Sequence, residues 1–311
     1  YNVIFNSRNP WMLSANGTIL TTEFDGVIPG LLKRWYAERK ELQAMKGKAI
    51  EAGNKIEIAF WDKRQLVKKI NLNSLYGAIL NPGCRFFDKR IGQSTTLTGR
   101  QIAKHMSAEC NKVITGEYDH VGDAVIYGDT DSVYFSAFPV LKKEIENKDI
   151  PWDKESVIKL YDQVAGEVNK TFIEFMSKAF HCPKTRADVI AAGREIVAES
   201  GLYITKKRYA ALIYDEEGER KDTNDKPGKV KAMGLDLKRS DTPEFMQNFL
   251  SELLLMVLTN QTEAEVLKRI TEFRTEFKLR PGYEKGSPKR ANKIGDYRRK
   301  EEKEGKANMP G

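Results

Sequence analysis

At 311 residues the chain can hold about two domains and a sizeable core, which excludes a peptide-sized module. Its 52 Lys and Arg against 44 Asp and Glu leave a net charge of +8 and a pI of about 9.1, a balance suited to a polyanionic partner. Cys84, Cys110 and Cys182 are too few and scattered for a disulfide framework, which points to a reducing cytosol. No apolar run approaches the roughly 20 residues of a bilayer span, so the protein is expected to be soluble.

Residues 1–24 are turn-rich, with a strand-like Thr18-Ile19-Leu20, and Asp25-Gly26 with Pro29 then announces a helix through Leu31, Leu32, Trp35 and Leu42. A second helix follows Gly53-Asn54, with Ile56, Phe60, Leu66, Val67, Ile70 and Leu75 at helical spacing until Asn81-Pro82-Gly83. Two long helices joined by a short turn make an antiparallel hairpin, and Lys33, Arg34, Arg39, Lys40, Lys46 and Lys48 make its exposed face basic. Arg85-Phe86-Phe87 reads as a strand, and Ile102, Met106, Cys110 and Val113 mark the next helix.

Ala124–Ile126 and Val133–Phe135 read as strands around a sharp reversal. Asp153 is placed to cap a helix that buries Val157, Leu160, Val164, Val168, Phe172 and Phe175. Further strands are predicted over 189–197 and 209–214, the latter turning at 215–218 back into 229–235. A helix from Thr242-Pro243 buries Phe245, Phe249, Leu250, Leu253 and Val257. Thr262-x-x-Glu265 opens another with Val266, Ile270, Phe273 and Phe277 inward. The fold class is therefore α+β, with covering helices and a mainly helical last third. From Lys285 to Gly311 nine Lys or Arg and four acidic residues leave little apolar material, as in a solvated, phosphate-facing tail.

Two segments carry chemistry. In Tyr127-Gly128-Asp129-Thr130-Asp131-Ser132-Val133-Tyr134 two carboxylates sit two positions apart at a turn, where their repulsion favours a hard divalent cation; an ordinary hairpin with polar turn residues fits the same pattern. In the second helix Lys69, Asn73 and Gly77 recur at i, i+4 and i+8 with Tyr76 beside them. A cation, an amide, a flat ring and a gap on one face suit a triphosphate and a stacked base, although Tyr76 alone also fits a helix-packing aromatic. His181-Cys182 has no second ligand pair at zinc-like spacing.

These residues resemble family B DNA polymerases, and among them the replicative polymerases of T-even-type bacteriophages. Lys69 to Gly77 resembles the fingers motif Lys-x-x-x-Asn-Ser-x-Tyr-Gly, and Tyr127 to Ser132 the palm motif Tyr-Gly-Asp-Thr-Asp-Ser. Thr205-Lys206-Lys207-Arg208-Tyr209 resembles the Lys-Lys-x-Tyr segment that holds primer-template backbone. Reverse transcriptases and viral RNA polymerases also use paired palm aspartates, but the order of the fingers helix before the aspartate hairpin is that of family B.

The resemblance implies a right-hand architecture. Residues 1–24 would lead in on the palm side, 25–82 form the fingers hairpin, 83–225 the palm with its metal-binding hairpin, and 226–311 an incomplete thumb. Asp131 and Asp129 would be catalytic and would hold metal with Glu195. Lys69 and Arg39 would contact the incoming triphosphate, while Asn73, Tyr76 and Gly77 would pack against the nascent base pair. Lys206, Lys207, Arg208 and Tyr209 would grip the primer terminus. The family's second fingers cation, four residues after the arginine, is here Gln43, with Lys40 or Lys46 as replacements.

The implied reaction is attack of a primer 3′-hydroxyl on the α-phosphate of a dNTP, assisted by two Mg²⁺ ions. The family's other metal-binding Asp, followed by Ser-Leu-Tyr-Pro-Ser, is not found here. The resemblance therefore implies a carboxy-terminal polymerase part, split or cut from a longer chain and inactive alone. Its implied partners are primer-template DNA, dNTP, an N-terminal portion carrying the exonuclease and first palm Asp, and a sliding clamp, with no membrane. Its implied location is the cytoplasm of an infected bacterium. The alternative is a catalytically incomplete subunit that binds DNA or acts as a scaffold.

Overall fold

The computed structural model describes residues 10–286 together with Arg299 and Gly305. Most of the basic tail read from the sequence lies outside the described residues, as does the start of the lead-in segment. The chain divides into two compact units. One takes in the residues up to Trp152 and Asp162–Gly193, the other Asp153–Tyr161 and the residues from Arg194 onward.

The first unit opens with a hairpin of β1 (Trp11–Leu13) and β2 (Ile19–Thr21), its turn made by Gly17 at φ 84°. Ser14 and Asn16 at that turn hydrogen-bond to Ser94 and to the Arg90 carbonyl, fastening the hairpin to α3 (Lys89–Thr115). Helices α1 (Val27–Glu51) and α2 (Lys55–Ile79) form the expected antiparallel pair. Gly53 in the left-handed region turns the chain between them, and the Asn54 side chain accepts from the Ile56 and Glu57 N–H groups to start α2.

The apolar positions that recur at helical spacing along α2 are largely uncovered. Ile56 is 83% exposed, and Phe60, Leu66, Val67 and Ile70 are also exposed, so this surface is apolar as well as basic. Two helices can cover only the stripe along their shared seam, and the rest of each helix faces outward. Arg85-Phe86-Phe87, expected as a strand, is instead a turn between α2 and α3. Asn81, Pro82 and Gly83 break the chain just upstream, and Asp88 accepts from the Arg90 N–H to start α3.

The core of this unit forms where α3 packs against α5 (Lys154–Phe180) beside the hairpin of β3 (Val125–Asp129) and β4 (Ser132–Phe135). Cys110, Val164, Val168 and Phe172 are its buried centre, with Ile102, Met106, Ile114 and Phe135 against them. Ile114, not the expected Val113, takes the inward position on α3. Burial pushes the Cys110 thiol up to about 12, which leaves it a neutral apolar group. Two short helices, α4 (Phe138–Glu146) and α6 (Lys184–Ala187), complete the unit.

Asp153 caps α5 as expected, its carboxylate accepting from the Glu155 and Ser156 N–H groups at 3.1 Å. In the second unit β5 (Ile196–Thr205) and β6 (Arg208–Glu216) pair antiparallel, and β6 also pairs with β7 (Glu219–Arg220) and β8 (Lys229–Met233). The strand expected over 189–197 therefore starts later and runs on to Thr205. β6 is central and buried along nearly its whole length, as its run Tyr209 to Tyr214 requires.

A short 3₁₀ turn at Asp236–Lys238 leads to α7 (Glu244–Leu258), α8 (Glu263–Leu279) and the one-turn α9 (Gly282–Lys285). Leu235, Leu237 and Leu258 pack on Ala210, Leu212 and Ala232 of the sheet. Leu258 takes the inward place expected of Val257, which is exposed. Thr262 and Glu265 form the full capping box, and the Phe249 and Phe273 rings stack at 3.6 Å between α7 and α8. The pairing of Arg194 with Asp215, both nearly buried, ties the start of the second unit to its central strand.

Two predictions test the first unit. Asn111, which is 1% exposed, holds the Glu117 carbonyl and the Ala124 N–H. Asn111→Ala is expected to destabilise by about 1–3 kcal/mol in urea unfolding, because the buried Ala124 N–H is left without a partner. His105 is buried, stacked on Phe175 at 3.9 Å, with its ring nitrogens 2.9 Å from the Tyr118 and Thr171 hydroxyls.

Burial holds the His105 pKa below its ordinary 6.5, with Lys112 adding to that effect and Glu109 opposing it. The unfolded chain thus takes up the proton first, so this stability is present above about pH 6.5 and is lost as pH falls below it. Urea midpoints measured between pH 7 and 5 should fall less steeply for His105→Gln than for the native chain.

Candidate active site

The carboxylate hairpin is delivered by Asn111. Its amide donates to the Glu117 carbonyl at 2.8 Å and its oxygen accepts from the Ala124 N–H at 3.1 Å, pinning both ends of the loop that enters β3. Gly122 passes so close to this amide that any Cβ there would overlap it. Beyond Ala124 the strands register Tyr127 with Tyr134 and Asp129 with Ser132, leaving Thr130 and Asp131 as a two-residue turn.

Thr130 has φ 51°, an uncommon place for a β-branched residue. The turn is tightened by the Asp131 N–H donating to the Asp129 carbonyl at 2.6 Å and by the Ser132 hydroxyl donating to the same oxygen at 3.1 Å. The Thr130 hydroxyl donates to the Asp129 carboxylate at 3.1 Å. Asp129 is half-buried, whereas Asp131 is exposed at the tip. Two hard carboxylates on one tight turn fit a divalent cation such as Mg²⁺, which takes few protein ligands and fills its remaining positions with water or phosphate oxygens. Among the described residues no group of three or more His, Cys, Asp or Glu gathers to complete such a site.

On α2 the expected face is present: Lys69, Asn73 and Gly77 are exposed, and nothing lies within 4 Å of where a Gly77 Cβ would stand. Tyr76 is half-buried, its hydroxyl sharing a hydrogen bond with the Thr96 hydroxyl and lying 3.4 Å from the Gly92 carbonyl. Tyr76 is thus aligned by α3, a role that its position in the sequence did not reveal. Arg39 on α1 donates from Nε to the Gln65 side chain at 3.3 Å. Gln65 was not singled out from the sequence, and its only signal is that it lies one turn before Lys69.

In the second unit Lys206 and Lys207 turn β5 into β6, with Lys207 at φ 62°. Gly234 passes so close to the Lys207 carbonyl that no side chain would fit, and its own carbonyl accepts from Arg208 Nε at 3.2 Å. Lys206, Lys207 and Arg208 are exposed and can meet phosphates. Tyr209 is different: it is 5% exposed and stacks on Tyr203 at 5.6 Å, so it shapes the strand beneath the cations. Burial, with Tyr209 close by, pushes the Tyr203 hydroxyl up to about 12. Glu195 belongs to this unit, where its carboxylate lies 3.3 Å from the Lys231 ammonium.

Comparison with known proteins gives these segments a common setting. The family model described as DNA polymerase family B matches residues 12–281. The DNA-directed DNA polymerase of Escherichia phage RB69 is 31% identical over 205 residues, covering 62% of this chain and 22% of the relative. That of Enterobacteria phage T4 is 28% identical over 246 residues, covering 75% and 26%. The structure of the family B DNA polymerase from Pyrobaculum calidifontis matches at TM-score 0.47 and 20% identity, covering 87% of this chain and 28% of that one. The chain thus spans about a quarter of the length of the curated relatives it matches. With the family match reaching from β1 to the loop after α8 and taking in all three segments, this chain belongs to DNA polymerase family B.

Proposed function

We propose that the chain carries fingers, palm and thumb functions of a DNA-directed DNA polymerase, adding nucleotides from dNTP to a primer 3′-hydroxyl. The observation that carries this reading is the exposed Asp131 at the tip of a two-residue turn, two positions from Asp129, within a chain of this family. In this reading residues 1–24 lead into the palm, 25–82 are the fingers, 83–225 the palm and 226–311 the thumb. Glu195 serves as an ancillary carboxylate. Bound Mg²⁺ ions, two in this reading, would neutralise charge on the phosphates and raise the nucleophilicity of the 3′-hydroxyl.

The chain's own residues supply binding and alignment. Lys69 and Arg39 attract the triphosphate through charge-assisted hydrogen bonds, and Tyr76, aligned by Thr96, offers a flat ring to the base pair beside the gap at Gly77. The exposed Lys206, Lys207 and Arg208 hold the primer by its phosphates without reading sequence, and Tyr209 supports their turn. Such positioning accounts for much of phosphoryl-transfer catalysis, since the reacting groups must lie in line.

The matched segments make up only 22% and 26% of the two phage relatives, and we propose that an N-terminal polymerase portion supplies a further metal-binding aspartate and an exonuclease. A sliding clamp is a candidate further partner. A phage setting would place the assembly in the cytoplasm of an infected bacterium. No helix of the described residues is long and apolar enough to cross a membrane.

Primer extension checks this reading directly. The 311-residue chain alone should extend a primed template negligibly, and addition of the N-terminal portion should restore extension. Normal extension by the chain alone would refute the shared-site proposal, whereas duplex binding without extension in the assembly would favour a scaffolding role. In the active assembly Asp131→Asn is expected to lower turnover by about a thousandfold, the scale of losing a metal anchor in the transition state. A loss of only a few fold would remove Asp131 from the catalytic role.

A further inference from the structure

The loop of residues 117–124 that leads into β3 touches α3 at a further point besides the two that Asn111 holds. The chain leaves α3 through Gly116, left-handed at φ 86°, and folds back along the helix. Tyr118 then meets His105, thirteen positions earlier, with its hydroxyl 2.9 Å from His105 Nδ1 and its ring 6.0 Å from the Lys112 ammonium. Tyr118 is 55% exposed, yet its hydroxyl turns inward onto a histidine that is 5% exposed. The hydrogen-bond network fixes the protons. Thr171 on α5 donates its hydroxyl to the Val168 carbonyl at 2.7 Å, which leaves it as an acceptor for the His105 Nε2–H at 2.9 Å. Nδ1 is then bare and accepts from the Tyr118 hydroxyl. Burial and the Glu109 carboxylate push the Tyr118 hydroxyl up from its ordinary pKa, which keeps that donor in place.

We infer that His105 is a positioning residue of the carboxylate hairpin, setting through Tyr118 the direction in which the 117–124 loop enters β3; the inference rests on the reading of that hairpin as metal-binding. Asn111 fixes where the ends of the loop lie, at the Glu117 carbonyl and the Ala124 N–H. A hydrogen bond to one carbonyl leaves the chain free to swing about it, and a second contact on the long side chain of the next residue removes that swing. His105 and Lys112, at i and i+7 on α3, share the face over which Tyr118 lies. The other groups facing His105 are Glu109 on α3 and Thr171, Phe172 and Phe175 on α5. Of all these only Glu109 and Lys112 carry charge, and they pair with each other at 3.4 Å. Neutral His105 is therefore the form that completes the contact. A proton on Nδ1 would face the Tyr118 hydroxyl donor to donor and release the loop.

Hydrogen exchange followed by mass spectrometry on the full 311-residue chain tests this, with residues 122–129 as the hairpin segment and 164–172 as the core control. At about pH 7 Tyr118→Phe, which removes only the hydroxyl, should lower protection of 122–129 about fivefold, the scale of one hydrogen bond, while 164–172 stays within about twofold. His105→Gln offers an acceptor and a donor but no charge, and should keep native protection in 122–129. On lowering the pH to about 5 the native hairpin segment should lose protection, once intrinsic rates are allowed for, and His105→Gln should not. Native protection of 122–129 in Tyr118→Phe, an equal loss in both segments, a loss in His105→Gln as large as that in Tyr118→Phe, or an acid loss that persists in His105→Gln overturns the inference. The metal-binding reading is judged separately, by Asp131→Asn in the active assembly, so either can fail without the other.

Discussion

The side-chain amide of Asn111 is the interaction on which the carboxylate hairpin depends. It lies at the end of α3, beside the core formed with α5, and its oxygen and nitrogen hold the two ends of the loop that enters β3. Ala124 is fully buried, so its N–H has no water as a substitute partner. The rigidity of the α3 and α5 contact is thereby passed to a turn that crowds Asp129 and Asp131 against their mutual repulsion. Gly122 is required for the same reason, since only a residue without a Cβ can pass the amide so closely.

The α1 and α2 hairpin solves a different problem. Two helices without a covering layer cannot bury more than their shared seam, so the pair is held by ion pairs and hydrogen bonds along its edges as well as by apolar contact. One edge carries Glu38 with Lys68, and the other the chain from Arg39 through Gln65 and Asp62 to Lys46. Exposed pairs of this kind contribute little to stability. Their consequence is local, because they fix the directions of long side chains that stay partly open to water. The β5 and β6 turn presents Lys206, Lys207 and Arg208 in a comparable way, with the buried stack of Tyr203 on Tyr209 beneath.

Where local signals were strong, the sequence predicted the structure well. The helical hairpin, the cap at Asp153, the Thr262 capping box and the strand pair around Asp129 and Asp131 all follow from spacing, capping chemistry and turn residues close together in the chain. The failures share a physical cause. Phe86 and Phe87 have strand-like character, yet the break at Pro82-Gly83 and the start of α3 at Asp88 leave no room for a strand. Val113 and Val257 each yielded the inward place to the next residue, because helical periodicity defines a face only to within about one position. Ile56 and Phe60 fit a helix but have no third layer to cover them.

By itself, the sequence determined the elements, the order of the three motifs and the residue types available for chemistry, because these depend on neighbours a few positions away. Family membership was legible in the same motifs, since each keeps its spacing within one helix or one turn. Only the tertiary structure decided which partners those residues have. It gave Asn111 to the hairpin loop and Thr96 to Tyr76, drew Arg39 and Lys46 onto Gln65 and Asp62, and buried Tyr209 beneath its cationic neighbours. These contacts join residues from different elements, and their geometry is set by how helices and strands pack, which no local pattern encodes.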